Sequence, residues 1–252
     1  MNLELKNKNA IITGSGGGFG RELAKVLASE GVNVIVHGIP SEKEKNEELC
    51  KELSGYGVKT YNICADLSDE AEALRLISES IKLLDIDIVV NNAAIWPTAY
   101  VEDMTVADFK KTVDINLIAP FIICREAVKY FKENNKKGKI VNMVSQAAFH
   151  GSTTGHAHYA ASKAGMVAFT ISLARECAKY GINVNAVAPG MMRTPMNKKA
   201  LEEREDEYLK RIPIGRIAEP REIADIVTFL CSERAGYMTG ATLDVTGGML
   251  MR

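Results

Sequence analysis

Short, almost wholly apolar runs alternate along this chain with longer segments of helical periodicity, and few architectures can bury such a pattern. The runs fall at 9–12, 32–36, 59–64, 87–90, 139–144, 183–188 and 241–245. Between them, apolar residues recur at helical spacing over 22–28, 42–54, 69–84, 104–132, 156–180 and 220–233, and a charged helical stretch covers 198–210. Strict alternation of strand and helix implies a parallel sheet with helices on both faces. The expected fold is therefore α/β, a seven-stranded parallel sheet flanked by helices and doubly wound. No repeat, low-complexity tract or Pro/Ser-rich linker interrupts it, so residues 1–252 are expected to form a single domain, a length that one α/β unit accommodates.

The first strand runs into Thr13-Gly14-Ser15-Gly16-Gly17-Gly18-Phe19-Gly20 and then into Glu22–Ala28, apolar at helical spacing. A strand, a glycine turn and a helix N-terminus make an anion site, because backbone N–H groups and the helix dipole both favour a phosphate. The spacing Gly14-x3-Gly18-x-Gly20 differs from G-x-G-x-x-G, and no Gly-Lys-Ser/Thr follows, so it is not a Walker loop. A dinucleotide fold that prefers NAD carries an acid near the end of the second strand. Here the strand ends His37-Gly38-Ile39-Pro40-Ser41, with no carboxylate before Glu42. That removes a repulsion against a 2′-phosphate, which His37, Ser41, Lys43 and Lys45 are placed to contact. The reading leans to NADP over NAD.

Tyr159 and Lys163 stand four residues apart in a helical segment, on one face, so an ammonium can sit beside a phenol. A free phenol is a poor base at neutral pH, and an adjacent Lys⁺ favours the phenolate. Such a phenol can exchange a proton with an alcohol or carbonyl oxygen. Ser145 follows the apolar run Ile140–Val144 and should emerge at a strand's C-terminal edge.

The net charge of −1 gives no basic surplus for nucleic acid or an anionic membrane. No apolar run approaches a membrane span, and the N-terminus has no apolar signal core. Five scattered cysteines without a C-x-x-C pair suit a reducing cytoplasm. His150, His156 and His158 cluster near Tyr159 without an accompanying carboxylate, so no metal site is expected.

Taken together, Thr13-Gly14-x3-Gly18-x-Gly20, Asp66, Asn91-Asn92-Ala93, Asn116, Ser145, Tyr159-x3-Lys163 and Pro189-Gly190-x3-Thr194 resemble the short-chain dehydrogenase/reductase family over the whole chain, most closely the 3-oxoacyl-acyl-carrier-protein reductase type. The resemblance implies a Rossmann domain and an NAD(P)-dependent enzyme that interconverts a secondary alcohol and a ketone. It implies a catalytic set of Asn116, Ser145, Tyr159 and Lys163. Tyr159 would exchange the proton, Ser145 would bind the substrate oxygen, and Lys163 would hold the nicotinamide ribose. Asn116 would kink its helix and hold a water that links Lys163 to bulk. The cofactor would lie against Gly14, Ser15, Gly18, Phe19 and Gly20 at the pyrophosphate, with His37 at the adenosine end. Asp66 and Leu67 would meet the adenine, and Asn92, Ala93 and Ala94 the ribose. Pro189, Gly190, Met192 and Thr194 would fix the carboxamide. Gly17 stands where NADP-dependent members carry Arg. Ser145 precedes Tyr159 by fourteen residues, one more than usual, so the loop 146–158 holds an insertion.

By the same resemblance, residues 190–215 form a lid over substrate, its acidic run 202–207 a solvated face. The expected substrate-binding residues are Ser145, Gln146, Trp96, His150 and Met191. The substrate is a 3-oxoacyl thioester, a sugar or polyol, or a steroid-like ketone. An acyl carrier protein would meet Arg175, with Arg125, Lys129 and Lys132 beside it, and the assembly would be a homotetramer. The reading of a different class is a catalytically silent NAD(P)-binding regulatory subunit.

Overall fold

The protein is described by a computed structural model covering residues 2–252. Strands β1 (Asn9–Ile12), β2 (Asn33–Gly38), β3 (Thr60–Cys64), β4 (Ile88–Asn91), β5 (Gly138–Met143), β6 (Ile182–Pro189) and β7 (Thr242–Val245) form one seven-stranded sheet in the order β3-β2-β1-β4-β5-β6-β7. Every pairing is parallel. The helices are α1 (Gly18–Ser29), α2 (Lys43–Ser54), α3 (Glu70–Leu83), α4 (Val106–Val113), α5 (Ala119–Glu133), the single turn α6 (Ala147–His150), α7 (Ala157–Cys177), α8 (Lys198–Arg211) and α9 (Pro220–Cys231).

The apolar runs become strands for the reason their composition suggests: β4 and β5 are buried at every position. Alternate residues feed two separate cores. Ile12, Val36 and Val90 pack with Leu23, Leu27 and Leu230 of α1 and α9 on one face. Ile11, Ile35 and Val89 pack with Leu76, Ile123 and Phe131 of α3 and α5 on the other. Helix starts are written locally: Asp69 accepts the Ala71 N–H and Thr105 accepts the Asp108 N–H, each at an N-cap. Pro220 opens α9, and the Glu222 carboxylate accepts the Glu219 N–H.

The stretch expected as one helix over 104–132 is two helices joined by a π-helical turn at Asp114–Ile118. The wide turn carries Asn116, now 1% exposed. Its amide donates to the Ile95 carbonyl and the Ser162 hydroxyl and accepts the Ile95 N–H. Those bonds compensate the interrupted helical ladder and tie the segment after β4 to α7.

The strand order reverses between β1 and β4, and at that switch point an open α/β sheet presents a crevice beyond its strands' C-terminal ends. The glycine turn follows β1, Asn92 follows β4, Ser145 follows β5 and Gly190 follows β6, so four distant stretches meet there. Among the described residues no helix is long and apolar enough to cross a membrane.

Candidate active site

A cleft of about 680 Å³ opens at this switch point, running from the glycine turn to Tyr159 and under α8. At one end the turn is built by close backbone contacts. A β-carbon on Gly20 would lie 2.2 Å from the Gly14 carbonyl oxygen, and one on Gly14, whose φ is +64°, would lie 2.9 Å from the Ala93 Cα. The Asn92 amide donates to the Thr13 and Gly14 carbonyls, while the Asn92 and Ala93 N–H groups donate to the Thr13 hydroxyl. A β-carbon on Gly17, by contrast, would meet nothing within 4 Å. The first amides of α1 have no acceptor within the helix and need an anion or water. A pyrophosphate fits this open, donor-rich end.

Two residues expected to touch a cofactor here act through the turn instead. His37 lies on the cleft wall but is 2% exposed, and both ring nitrogens are engaged. Nδ1 accepts the Gly14 N–H at 2.9 Å, so Nε2 carries the proton and meets the Ala65 carbonyl at 3.1 Å. Burial lowers its pKa to about 4, and it stays neutral. A neutral ring with no free nitrogen cannot hold a 2′-phosphate; His37 positions the glycine turn. Ser15 is fully buried, its hydroxyl donating to the Ile12 carbonyl and accepting the His37 N–H. It is a strut of the turn and does not line the cleft.

Of the remaining adenosine-end candidates, Lys45 lines the cleft and Ser41 and Lys43 do not. Glu42 also lines it: a β-carbon on Gly38 would lie 3.0 Å from Glu42 Oε2. The carboxylate missing from the strand end returns from the following turn. Asp66 and Leu67 complete this wall.

At the cleft floor, α7 delivers Tyr159 and Lys163 one turn apart. Lys163 is 3% exposed, its ammonium donating to the Met143 carbonyl at 2.7 Å and lying 5.7 Å from the Tyr159 ring centre. Burial lowers its pKa to about 8. The Tyr159 phenol moves opposite to the expectation that Lys163 would pull it down. Burial raises its pKa, and the nearby Ser145 hydroxyl offsets part of that rise. In an apolar floor the cost of charging the phenol exceeds the help of an ammonium engaged elsewhere, and the group is a neutral acid.

The far wall is aromatic and sulfur-rich. Trp96 stacks on His156 with centroids 4.5 Å apart and lies 6.1 Å from Tyr159. His156 meets the hydroxyls of Thr98 and Thr154, each at 3.0 Å, which straps the loop after β4 to the loop before α7. Gln146, His150 and Met191 line the cleft, with Ala93, Ala94, Pro189, Gly190, Met192 and Thr194. The Gln146 amide nitrogen lies 3.2 Å from Met249 Sδ. Asn116 stands behind the lining, bonded to Ser162. Tyr208, Arg211 and Met249 also line the cleft; sequence reasoning missed them because α8 and the C-terminal tail bring them from far along the chain.

Comparison with known proteins accords with this geometry. A family model described as enoyl-(acyl carrier protein) reductase matches residues 14–250. The 3-oxoacyl-[acyl-carrier-protein] reductase of Rickettsia felis is 40% identical over 99% of both chains. That of Aquifex aeolicus is 38% identical over 99% of this chain and all of its own. Among solved structures, a short-chain dehydrogenase/reductase (glucose/ribitol dehydrogenase) from Brucella melitensis superposes with a TM-score of 0.91 at 32% identity over 100% of both chains. A structure assigned as an NAD(P)-dependent gluconate 5-dehydrogenase from Beutenbergia cavernae, with NADP bound at low occupancy, gives 0.93 at 32% identity over 99% of both. By its sheet order, its glycine turn, its buried Tyr159–Lys163 pair and these end-to-end likenesses, the chain belongs to the short-chain dehydrogenase/reductase family.

Proposed function

We propose that this NAD(P)-dependent oxidoreductase reduces the ketone of a 3-oxoacyl thioester to the secondary alcohol. The observation that carries the reaction class is the neutral Tyr159 phenol beside Ser145 and Lys163 at the floor of a cleft whose other end is the glycine turn. A nicotinamide dinucleotide, NADP or NAD, supplies the hydride when bound along that cleft. Gly17, Gly18 and Phe19 would offer it backbone N–H groups, Asn92 and Ala93 would shape the backbone beside it, and Lys163, close to the Tyr159 ring, would hold its ribose. Ser145 donates a hydrogen bond to the ketone oxygen, and Tyr159 delivers the proton to that oxygen as the alcohol forms. Lys163, still largely protonated at neutral pH, stabilises the phenolate left behind. Asn116 holds the helix wide enough for proton resupply from behind Lys163.

The thioester is favoured over a sugar acid because the 3-oxoacyl reductases are nearer in sequence, 40% against 32%. The assay uses acetoacetyl-coenzyme A and 5-ketogluconate with NADPH and NADH. We expect the thioester to be reduced with the higher kcat/KM. Turnover of the sugar acid alone would replace the thioester reading with the sugar-acid one, and cofactor binding without any turnover would support the silent regulatory subunit.

Cofactor preference follows from two opposed charges. The Glu42 carboxylate suits a ribose 2′-hydroxyl and repels a 2′-phosphate, while Lys45 attracts it. Glu42→Gln is expected to raise the NADPH-over-NADH ratio of kcat/KM by about fivefold, and Lys45→Gln to lower it by a similar factor, each within the range of one partly screened charge contact. An unchanged ratio in both variants would remove this end of the cleft from cofactor selection.

Assembly and carrier recognition belong to the same reading. Phe109, Phe121 and Ile171 leave α4, α5 and α7 with exposed apolar side chains, a face suited to a homotetramer contact. The basic residues expected to meet an acyl carrier protein are mostly occupied. Arg125 and Lys129 both hold Glu126, and Lys132 lies 4.5 Å from the Tyr180 ring centre. Arg175 forms no ion pair among the described residues and is the member left to meet an acidic carrier. Residues 190–215 serve as the lid, with α8 as its roof.

A further inference from the structure

We propose that Met249 walls the part of the cleft that receives the alkyl group of the 3-oxoacyl substrate, and so limits the length of that chain. This rests on the thioester reading above and narrows it to short chains. Met249 reaches the cleft from the segment that follows β7. It lines the cleft and packs against the apolar cluster of Met191, Leu201, Ile212 and Ile217. Its sulfur lies 3.2 Å from the Gln146 amide nitrogen. Gln146 directly follows Ser145, so Met249 touches the turn that presents the hydroxyl to the ketone.

The fold fixes where this side chain sits. The Ile214 N–H donates to the Gly247 carbonyl at 3.1 Å, and the Thr246 hydroxyl accepts the Leu250 N–H at 3.1 Å, which closes a short loop around Met249. Arg252 bonds both carboxylate oxygens of Asp244, at 2.9 and 3.0 Å, and its guanidinium carbon lies 3.6 Å from the Phe149 ring centre. Phe149 belongs to α6 and Gln146 is its N-cap, so the segment grips the turn after Ser145 at both residues. The Gln146 side-chain oxygen is buried without a hydrogen-bond partner. Met249 is therefore the one polar anchor of that side chain among the described residues.

A methionine packed wholly inside a core has no face left for a ligand. Met249 is half-buried: part of it packs on the cluster, and part lines the cleft beside the buried Met191. A thioether offers no donor, and only a weak acceptor, to the carbonyl of a thioester. An alkyl group needs neither and gains by burial against such a wall. The apolar wall therefore takes the alkyl side of the ketone, and the thioester arm leaves along the rest of the cleft. Each methylene beyond the wall must displace Met249, which the cluster behind it and Gln146 beside it oppose. Methionine adapts its shape, so the limit on length is graded.

The test compares the 3-oxobutanoyl and 3-oxooctanoyl thioesters of N-acetylcysteamine, which differ only in alkyl length, with NADPH as reductant. The native protein is expected to reduce the shorter with the higher kcat/KM. Met249→Ala cuts the side chain back to its β-carbon and should raise the octanoyl-over-butanoyl ratio about tenfold, the worth of one to two buried methylenes. Met249→Leu, similar in volume but without sulfur, should keep the native ratio. A second readout is independent of turnover. Trp96 is the one tryptophan of the chain and lines the cleft, so its fluorescence reports binding of the saturated octanoyl and butanoyl thioesters to the NADP-saturated protein. Their Kd ratio should move by a similar factor in Met249→Ala. Unchanged ratios in that variant, or a native preference for the longer chain, would overturn the wall. So would a shift in Met249→Leu as large as that in Met249→Ala, which would assign the preference to the sulfur contact with Gln146. If the native protein reduces neither compound, the thioester reading fails, and the binding ratio alone then upholds or overturns Met249 as the wall.

Discussion

Tyr159→Phe is expected to lower kcat about 10³-fold while the Kd for NADPH stays within about twofold, because it deletes one hydroxyl used as general acid and leaves the ring in place. The ring keeps its contact with Trp96 at 6.1 Å and its place above Lys163. The proton donor is gone, and Ser145, a much weaker acid, is the remaining hydroxyl at the ketone. The direction of the Tyr159 shift sets the pH profile. Raised by burial, the phenol is protonated at neutral pH, the form needed to reduce a ketone. Reduction should therefore hold through neutral pH and decline as pH rises past about 8, where Lys163 loses the charge that supports the phenolate. Steady-state rates from pH 6 to 10, with cofactor affinity measured separately by fluorescence, check both statements. A variant that retains turnover would take Tyr159 out of the proton step. Loss of cofactor affinity with turnover would instead mean that the phenol holds the cofactor's position.

What the amino-acid sequence disclosed follows how each feature is encoded. β4 and β5 were legible because a parallel strand buried on both faces is apolar over most of its length, as at Ile88–Val90 and Ile140–Val141. For the same reason the sequence could not say which face His37 takes. A strand buried on both sides shows no alternation, so its ring appeared available to a ligand although it is locked between Gly14 and Ala65. Ser15 misled similarly: a serine in a glycine turn suggests an anion contact, but here the hydroxyl closes the turn onto Ile12. The π turn at Asp114–Ile118 left no mark on a periodicity that the residues before and after it both satisfy. Arg211 and Met249 come to the cleft from 52 and 90 residues beyond Tyr159, a juxtaposition fixed by topology and not by local pattern. Tyr159 and Lys163 escaped this difficulty because one helix turn carries both.

Lys163→Met should separate stability from function more sharply than any other substitution in the cleft. The ammonium is buried with the Met143 carbonyl as its one hydrogen-bond acceptor among the described residues, and its pKa falls from 10.5 to about 8. That difference costs the folded state about 3 kcal/mol below pH 8. The sign follows from proton counting. Between pH 8 and 10.5 the unfolded chain binds a proton at this lysine that the folded chain does not, so stability rises with pH across that window. Below it the penalty is present in full. Methionine fills a similar volume without the charge but strands the Met143 carbonyl, a loss of about 1 kcal/mol. The variant should therefore be about 1–2 kcal/mol more stable than the native chain at pH 7, by urea midpoint at constant m, and the advantage should vanish by pH 10.5. Turnover should fall at least about 10²-fold, since the phenolate loses its counter-charge. A variant less stable at pH 7, with the native slope against pH, would show that the ammonium is at ease in its pocket. The gain in stability would identify Lys163 as a charge kept buried at a cost to the fold, in the one position where it faces Tyr159.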